Sequence, residues 1–209
     1  MSPVKDQADC GSWPFAAVAC LESAHLIQHQ VLMKYSEQQL LDCATLRYGN
    51  FGCNGGLQTG AYNYYKNHAA ELESVYPYTS GNGDDSTSCL ADSLSATAVE
   101  VASYVDVTPS NKTQMKAALD KQPLAVAIEA DKFVFQTYQS GVLTSSKCGT
   151  NLDHAVLAVG YGTENGQDYW LVKNSWDTTW GDQGYIKLGM DNSDGTCGVQ
   201  IDPQAPTTN

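Results

Sequence analysis

Basic residues are scarce in this chain: 11 Lys and Arg stand against 23 Asp and Glu, a net charge of -12 over 209 residues. Nucleic-acid phosphates need a basic face, so partners of that class are excluded, while the acidity favours solubility and suits an acidic compartment. No apolar run approaches the ~20 residues of a membrane-spanning helix, which excludes a helical anchor within this sequence and predicts a soluble protein. No CxxC pair of zinc spacing occurs, and the four His residues form no ligand pattern with the carboxylates. Neither a metal site nor a cofactor is therefore expected. There is no internal repeat and no leader-like start. Met1-Ser2-Pro3-Val4-Lys5 opens abruptly, as if inside a mature domain, which leads us to expect a processed or trimmed chain.

Seven cysteines are present. At this length, and outside zinc spacing, they read as a disulfide framework made in an oxidising compartment, with one cysteine left over. Asn111-Lys112-Thr113 fits a glycosylation sequon, in keeping with secretory transit. The length allows one domain, or two closely packed halves, around a sizeable core.

The rest of the chain is arranged about Cys10-Gly11-Ser12-Trp13-Pro14-Phe15-Ala16-Ala17-Val18-Ala19-Cys20-Leu21-Glu22. A tight glycine-containing entry runs into a solidly apolar segment. This predicts a buried helix whose N-terminus, with its free N–H groups and positive dipole end, faces a site. Pro14 falls in the first turn, where a missing N–H costs little. An anion, or a nucleophile that must become one, is stabilised at such a terminus.

Ser36-Glu37-Gln38-Gln39 offers a capping box for a short helix ending near Asp42-Cys43. Residues 49–56 are too rich in glycine for regular structure and allow a ligand backbone to lie against them. A third helix is expected over 57–67, a polar loop over 80–88, and the crossover between halves within 77–99. Beyond it, branched and alternating apolar residues predict strands at 99–107, 124–130, 154–162, 168–173 and 185–188. A capped helix is expected at 110–121 and a hairpin turn at Glu164-Asn165-Gly166-Gln167. The first half is thus helical and the second an antiparallel sheet curled into a barrel.

A thiol or hydroxyl near neutral pH is a weak nucleophile, so acyl transfer needs an imidazole to take its proton and a third group to hold the ring. His154, in Leu152-Asp153-His154-Ala155, and Asn174, in Lys173-Asn174-Ser175-Trp176, lie on strands separated only by that hairpin, so they can meet across it. These runs, together with Gln7-Ala8-Asp9-Cys10-Gly11-Ser12-Trp13 and Trp180-Gly181-Asp182-Gln183-Gly184-Tyr185, resemble the papain-like cysteine proteases of the cathepsin L type. The resemblance extends from about residue 4 to about 206.

It implies an α+β, papain-like two-lobe fold in a single peptidase domain. A helical left lobe (1–98) holds the central buried helix, an antiparallel β-barrel forms the right lobe (99–209), and the active-site cleft lies between them. It further implies His154 as general base and acid, Asn174 as the group fixing its tautomer, and Trp176 as their shield from water. Gln7 would donate to the oxyanion. Gly55 and Gly56 would pair with the substrate backbone, and Asp153 would lie beside the substrate. The implied disulfides are Cys10 with Cys53, Cys43 with Cys89 and Cys148 with Cys197. Cys20, roughly 10 Å below the helix start, is left as a small buried hydrophobe. Counting from Cys197 puts Asp202 on the floor of the S2 pocket, with Ala127 and Ala155 as small walls and Leu57 and Gln58 at the rim. Such a pocket admits a basic side chain as well as an apolar one. The implied partners are a peptide or protein substrate, the protein's own propeptide and cystatin-type inhibitors. The expected state is a monomer in a lysosomal, vacuolar or secreted setting.

The sequence departs from the pattern in two places. Asp177 stands where the family usually has Gly after the Trp, which puts a charge near the site. The family reads Cys-Gly-Ser-Cys-Trp, and this chain reads Cys-Gly-Ser-Trp. Three accounts of the gap stand open. A cysteine between Ser12 and Trp13 is carried in modified form and missing from the sequence as written; or Ser12 itself attacks; or the cleft binds or stores peptides without cutting them. Losing a residue from a turn tied down by Cys10 is expected to strain that bridge, which favours the first account.

Overall fold

The computed structural model describes residues 1–85, 88–94, 99, 101–191 and 193–208. The lobe boundary at 98/99 and parts of the expected loop and crossover (86–87 and 95–98) fall outside the described residues.

Helix α1 (Trp13–His29) starts with Pro14 in its first turn and buries all of its first dozen residues except Ala19, among them Trp13, Val18 and Leu21. It ends at Gln30, whose left-handed backbone (φ 59°) sends its N–H back to Leu26 O. Helix α2 (Glu37–Cys43) is capped by Ser36, whose Oγ accepts from Gln39 N at 2.9 Å. The reverse arm of the expected box is not made, because the Gln39 amide instead donates to Ala69 O and accepts from Glu71 N. Helix α3 (Gln58–Tyr65) is shorter than expected at its C-terminal end.

In the second half, α4 (Lys112–Leu119) is capped by Asn111 Oδ1, which accepts from Gln114 N. Ser110 lies outside it at φ 55°, its hydroxyl donating to Asp194. The described strands are β1 (Val101–Asp106), β2 (Leu124–Ile128), β3 (Val142–Leu143), β4 (His154–Glu164), β5 (Gln167–Lys173), β6 (Tyr185–Gly189) and β7 (Gln204–Thr208). A short helix α5 (Phe133–Gln136) precedes β3. The strands form one sheet in the order β1-β7-β2-β4-β5-β6-β3. Among the described residues its two end strands do not pair with each other, and β3 runs parallel to β6 while every other pair is antiparallel. The β4–β5 hairpin turns through Asn165 and Gly166, both at positive φ, as a two-residue turn matched to strand twist requires.

Two apolar cores result. One gathers α1, α2 and α3 and takes in Ala125, Ala155 and Leu157 from the sheet; the other lies on the sheet side around Trp170, Phe135 and Met115. Helix α1 packs against β2, β4 and β7 as well as α2 and α3, so its mouth opens where helices and sheet meet. No described helix is long and apolar enough to cross a membrane. The three disulfides form as the resemblance implies, and Cys20 is free and buried.

Candidate active site

Ser12 precedes α1 directly and is buried; its Oγ makes no helix cap but accepts from Ala155 N at 2.9 Å, tying the helix mouth to the start of β4. The bridge to Cys53 holds Cys10 with its Cα atoms 4.4 Å apart, inside the ordinary range. Trp13 fixes the other side of the mouth: its indole N–H donates to Gly52 O, and its ring lies where a Cβ on Gly56 would come within 2.9 Å.

Across the cleft, His154 Nε2 meets Asn174 Oδ1 at 2.7 Å, as the hairpin predicts. With the Nε2 proton donated to the carboxamide, the neutral ring presents Nδ1 as its basic nitrogen. Burial pushes the imidazole down to about 4, against the upward pull of the Asn174 hydrogen bond and the Asp153 charge. Asn174 Oδ1 also accepts from Ser175 N at 2.8 Å. Trp176 covers the pair, its ring 4.8 Å from that of His154 and itself braced by Phe135 and Trp180.

Gln7 is held at five points. Its N–H donates to Ser175 O and its carbonyl accepts from Tyr78 OH and Cys10 N; its side-chain oxygen accepts from Ser175 Oγ, and its amide nitrogen donates to Cys10 O at 2.7 Å. One amide proton remains for a ligand. Ser175 and Tyr78 were not singled out by sequence reasoning. Ser175 was visible only as a neighbour of Asn174, and Tyr78 carries no local signal at all.

Gln7, Cys10, Ser12, Trp13 and His154 line one cleft of about 500 Å³, which also takes in Gly55, Gly56, Leu57, Gln58, Ala127, Asp153 and Asp202; Asn174 and Trp176 act on it through His154 and are not part of its lining. Asp202 lines this cleft together with Ala127 and Ala155. Its carboxylate accepts from Gln204, and burial raises its pKa. Asp153 uses one carboxylate oxygen on Ala130 N, at 2.7 Å, so that oxygen secures the segment that follows β2. Gly55 adopts φ 120° and gives its carbonyl to Phe51 N. Asp177 is absent from the cleft wall: it sits at φ 59°, where Gly is natural, and turns its carboxylate on Thr178 and Thr179 in its own turn. Burial lifts the Cys20 thiol to about 12, and its Sγ donates to Pro123 O, so it is inert.

A sequence profile described as "Papain family cysteine protease" matches residues 1–207. Digestive cysteine proteinase 3 of Homarus americanus is 47% identical over 99% of this chain and 63% of its own length. Cathepsin L of Sarcophaga peregrina is 46% identical over 98% of this chain and 60% of its own. The chain thus spans less than two thirds of these curated relatives. Among solved structures, the bromelain protease from Ananas comosus in complex with the E64 inhibitor superposes with a TM-score of 0.89, at 40% identity, covering 99% of this chain and 93% of that one. The proform of the ragweed pollen allergen Amb a 11 reaches 0.92 at 37% identity, over 100% of this chain and 63% of that one.

Proposed function

This chain belongs to the papain family of cysteine proteases, and from that premise we propose that its cleft hydrolyses peptide bonds as an endopeptidase, through an acyl-enzyme. The observation that carries the reading is the 2.7 Å contact of His154 with Asn174 on the wall facing the mouth of α1. His154 takes the nucleophile's proton as the scissile carbonyl is attacked and returns it to the leaving amine; water then releases the acyl group by the same route in reverse. The free amide proton of Gln7 and the backbone N–H groups at the helix start stabilise the developing oxyanion. Gly55 and Gly56 form the ledge for the substrate backbone, Asp153 flanks it, and the lobes divide near residue 98. The protein works as a monomer in a lysosomal, vacuolar or secreted compartment, on peptide or protein substrates, and is held in check by its propeptide and cystatin-type inhibitors.

The cysteine-protease form of this reaction places a thiol between Ser12 and Trp13. A second reading, attack by Ser12, is favoured by its hydroxyl lying on the strand that carries His154. An intact-mass measurement and labelling with a thiol-reactive epoxide separate the two. A mass higher by one cysteine residue, with or without an adduct, and epoxide labelling once that thiol is free, is the expected outcome. An unlabelled chain of the written mass, with turnover abolished in Ser12→Ala, supports the serine form instead. A folded chain with neither label nor turnover is a binding protein, and the endopeptidase reading fails.

Asp202 predicts the P2 preference. Because burial raises its pKa, its charge develops only above the usual aspartate range. The preference for a basic P2 residue over Leu should therefore grow as pH rises through that raised value. Asp202→Ala is expected to remove this growth and to cost basic-P2 cleavage about tenfold while leaving Leu-P2 cleavage within about twofold. Equal losses on paired fluorogenic substrates would count against the assignment.

A further inference from the structure

Behind the His154–Asn174 pair, where helices meet sheet, lies a second, much smaller chamber of about 20 Å³. Its apolar lining comes from α1 and β4, and its ionisable lining is Lys5, Glu22 of α1, Glu37 of α2 and Lys173 of β5, with Asn174 beside them. Lys5 Nζ donates to Glu37 Oε1 at 2.7 Å and lies 3.5 Å from Glu22 Oε1 and 3.4 Å from Glu73. Glu22 Oε1 also accepts from Tyr35 N, and Lys173 Nζ donates to Ser2 O. Each carboxylate thus engages one oxygen. Glu22 Oε2, Glu37 Oε2 and Asn174 Nδ2 are all buried without a protein partner.

Each such group is costly if left alone, the more so when charged. Three of them, on residues that line one chamber, can share a partner that accepts one hydrogen bond and donates two. A chamber of this size holds one water, which needs two to four polar partners. A cation there faces Lys5 and Lys173, and an anion faces two carboxylates; a neutral molecule that both donates and accepts faces neither penalty. We propose that one ordered water occupies this chamber, accepting from Asn174 Nδ2 and donating to Glu22 Oε2 and Glu37 Oε2, and that it positions the carboxamide that holds His154. Burial lifts Glu37 to about 7 against the pull of Lys5, and a donor on its free oxygen favours the ionised form. The positioning role rests on the assignment of His154 and Asn174 above; the water site does not.

The test reads the water directly. In a crystal structure of the protein at about 1.5 Å, a single density peak should lie within about 3.2 Å of all three atoms. In solution, the Asn174 side-chain amide protons should show a cross-peak to a long-lived water. Glu37→Gln and Glu22→Gln keep shape but place an amide where an oxygen accepted, and each should lose the cross-peak. Glu73→Gln, which touches Lys5 outside the chamber, should keep it. If the water positions the carboxamide, the His154 Nε2 proton should exchange with solvent at least about threefold faster in the first two variants than in the third. A dry chamber, or a cross-peak that survives both chamber variants, overturns the site. Equal His154 exchange in all three overturns the positioning role alone, and the wild-type density decides the site if a variant fails to fold.

Discussion

His154→Ala should lower kcat/KM on a fluorogenic dipeptide substrate by about 10²- to 10⁴-fold with KM nearly unchanged, the scale at which removing a positioned general base acts. The imidazole is buried, covered by Trp176 and held by Asn174, so no water-borne base can substitute for it in place. In the protein as described, activity should persist well below neutral pH and fall as pH drops through about 4, where the ring takes a second proton. His154→Ala should abolish that limb together with the rate. A variant retaining more than about a tenth of native turnover would remove His154 from the mechanism.

Lys5→Met should destabilise the fold by about 3–5 kcal/mol at pH 8, because it strips the shared cation from Glu22 and Glu37, both almost fully buried. The sign of the pH dependence follows from Glu37, whose folded pKa of about 7 lies above its ordinary value of 4.5. Lys5 holds that value down, so without it Glu37 titrates higher still; as pH falls from 8 the variant's folded state takes up the proton before the native one does, and the variant's deficit shrinks. Denaturant unfolding at pH 8 and pH 5 should show a clearly smaller loss at the lower pH. A loss that does not change with pH would mean that lost packing, not uncompensated charge, dominates.

Local signals made much of this architecture readable. The apolar run after Gly11 with Pro14 in its first turn specified α1, and Asn165-Gly166 between branched runs specified the β4–β5 hairpin and hence the meeting of His154 with Asn174. Strand β7 gave no comparable signal: it contains Pro206 and follows Pro203, and it exists because β1 and β2 flank it on both sides. Helix α5 and strand β3 are four and two residues long, too short for any periodicity. The disulfide partners came from family resemblance, since spacing alone leaves many pairings open. The ion cluster was invisible for a different reason. Lys5, Glu22, Glu37 and Lys173 are distant in sequence, and each alone reads as an ordinary solvated charge; only the folded chain brings them together.

The placement of the disulfides has a mechanical consequence. Cys10–Cys53 and Cys43–Cys89 both close within the helical half and Cys148–Cys197 within the sheet, so no covalent staple spans the seam along which the cleft runs. The alignment of helix mouth and imidazole across that seam is therefore held by non-covalent contacts alone, among them the Lys5–Glu22–Glu37 cluster and the Ser12–Ala155 hydrogen bond, so it can open and close without any bond being broken.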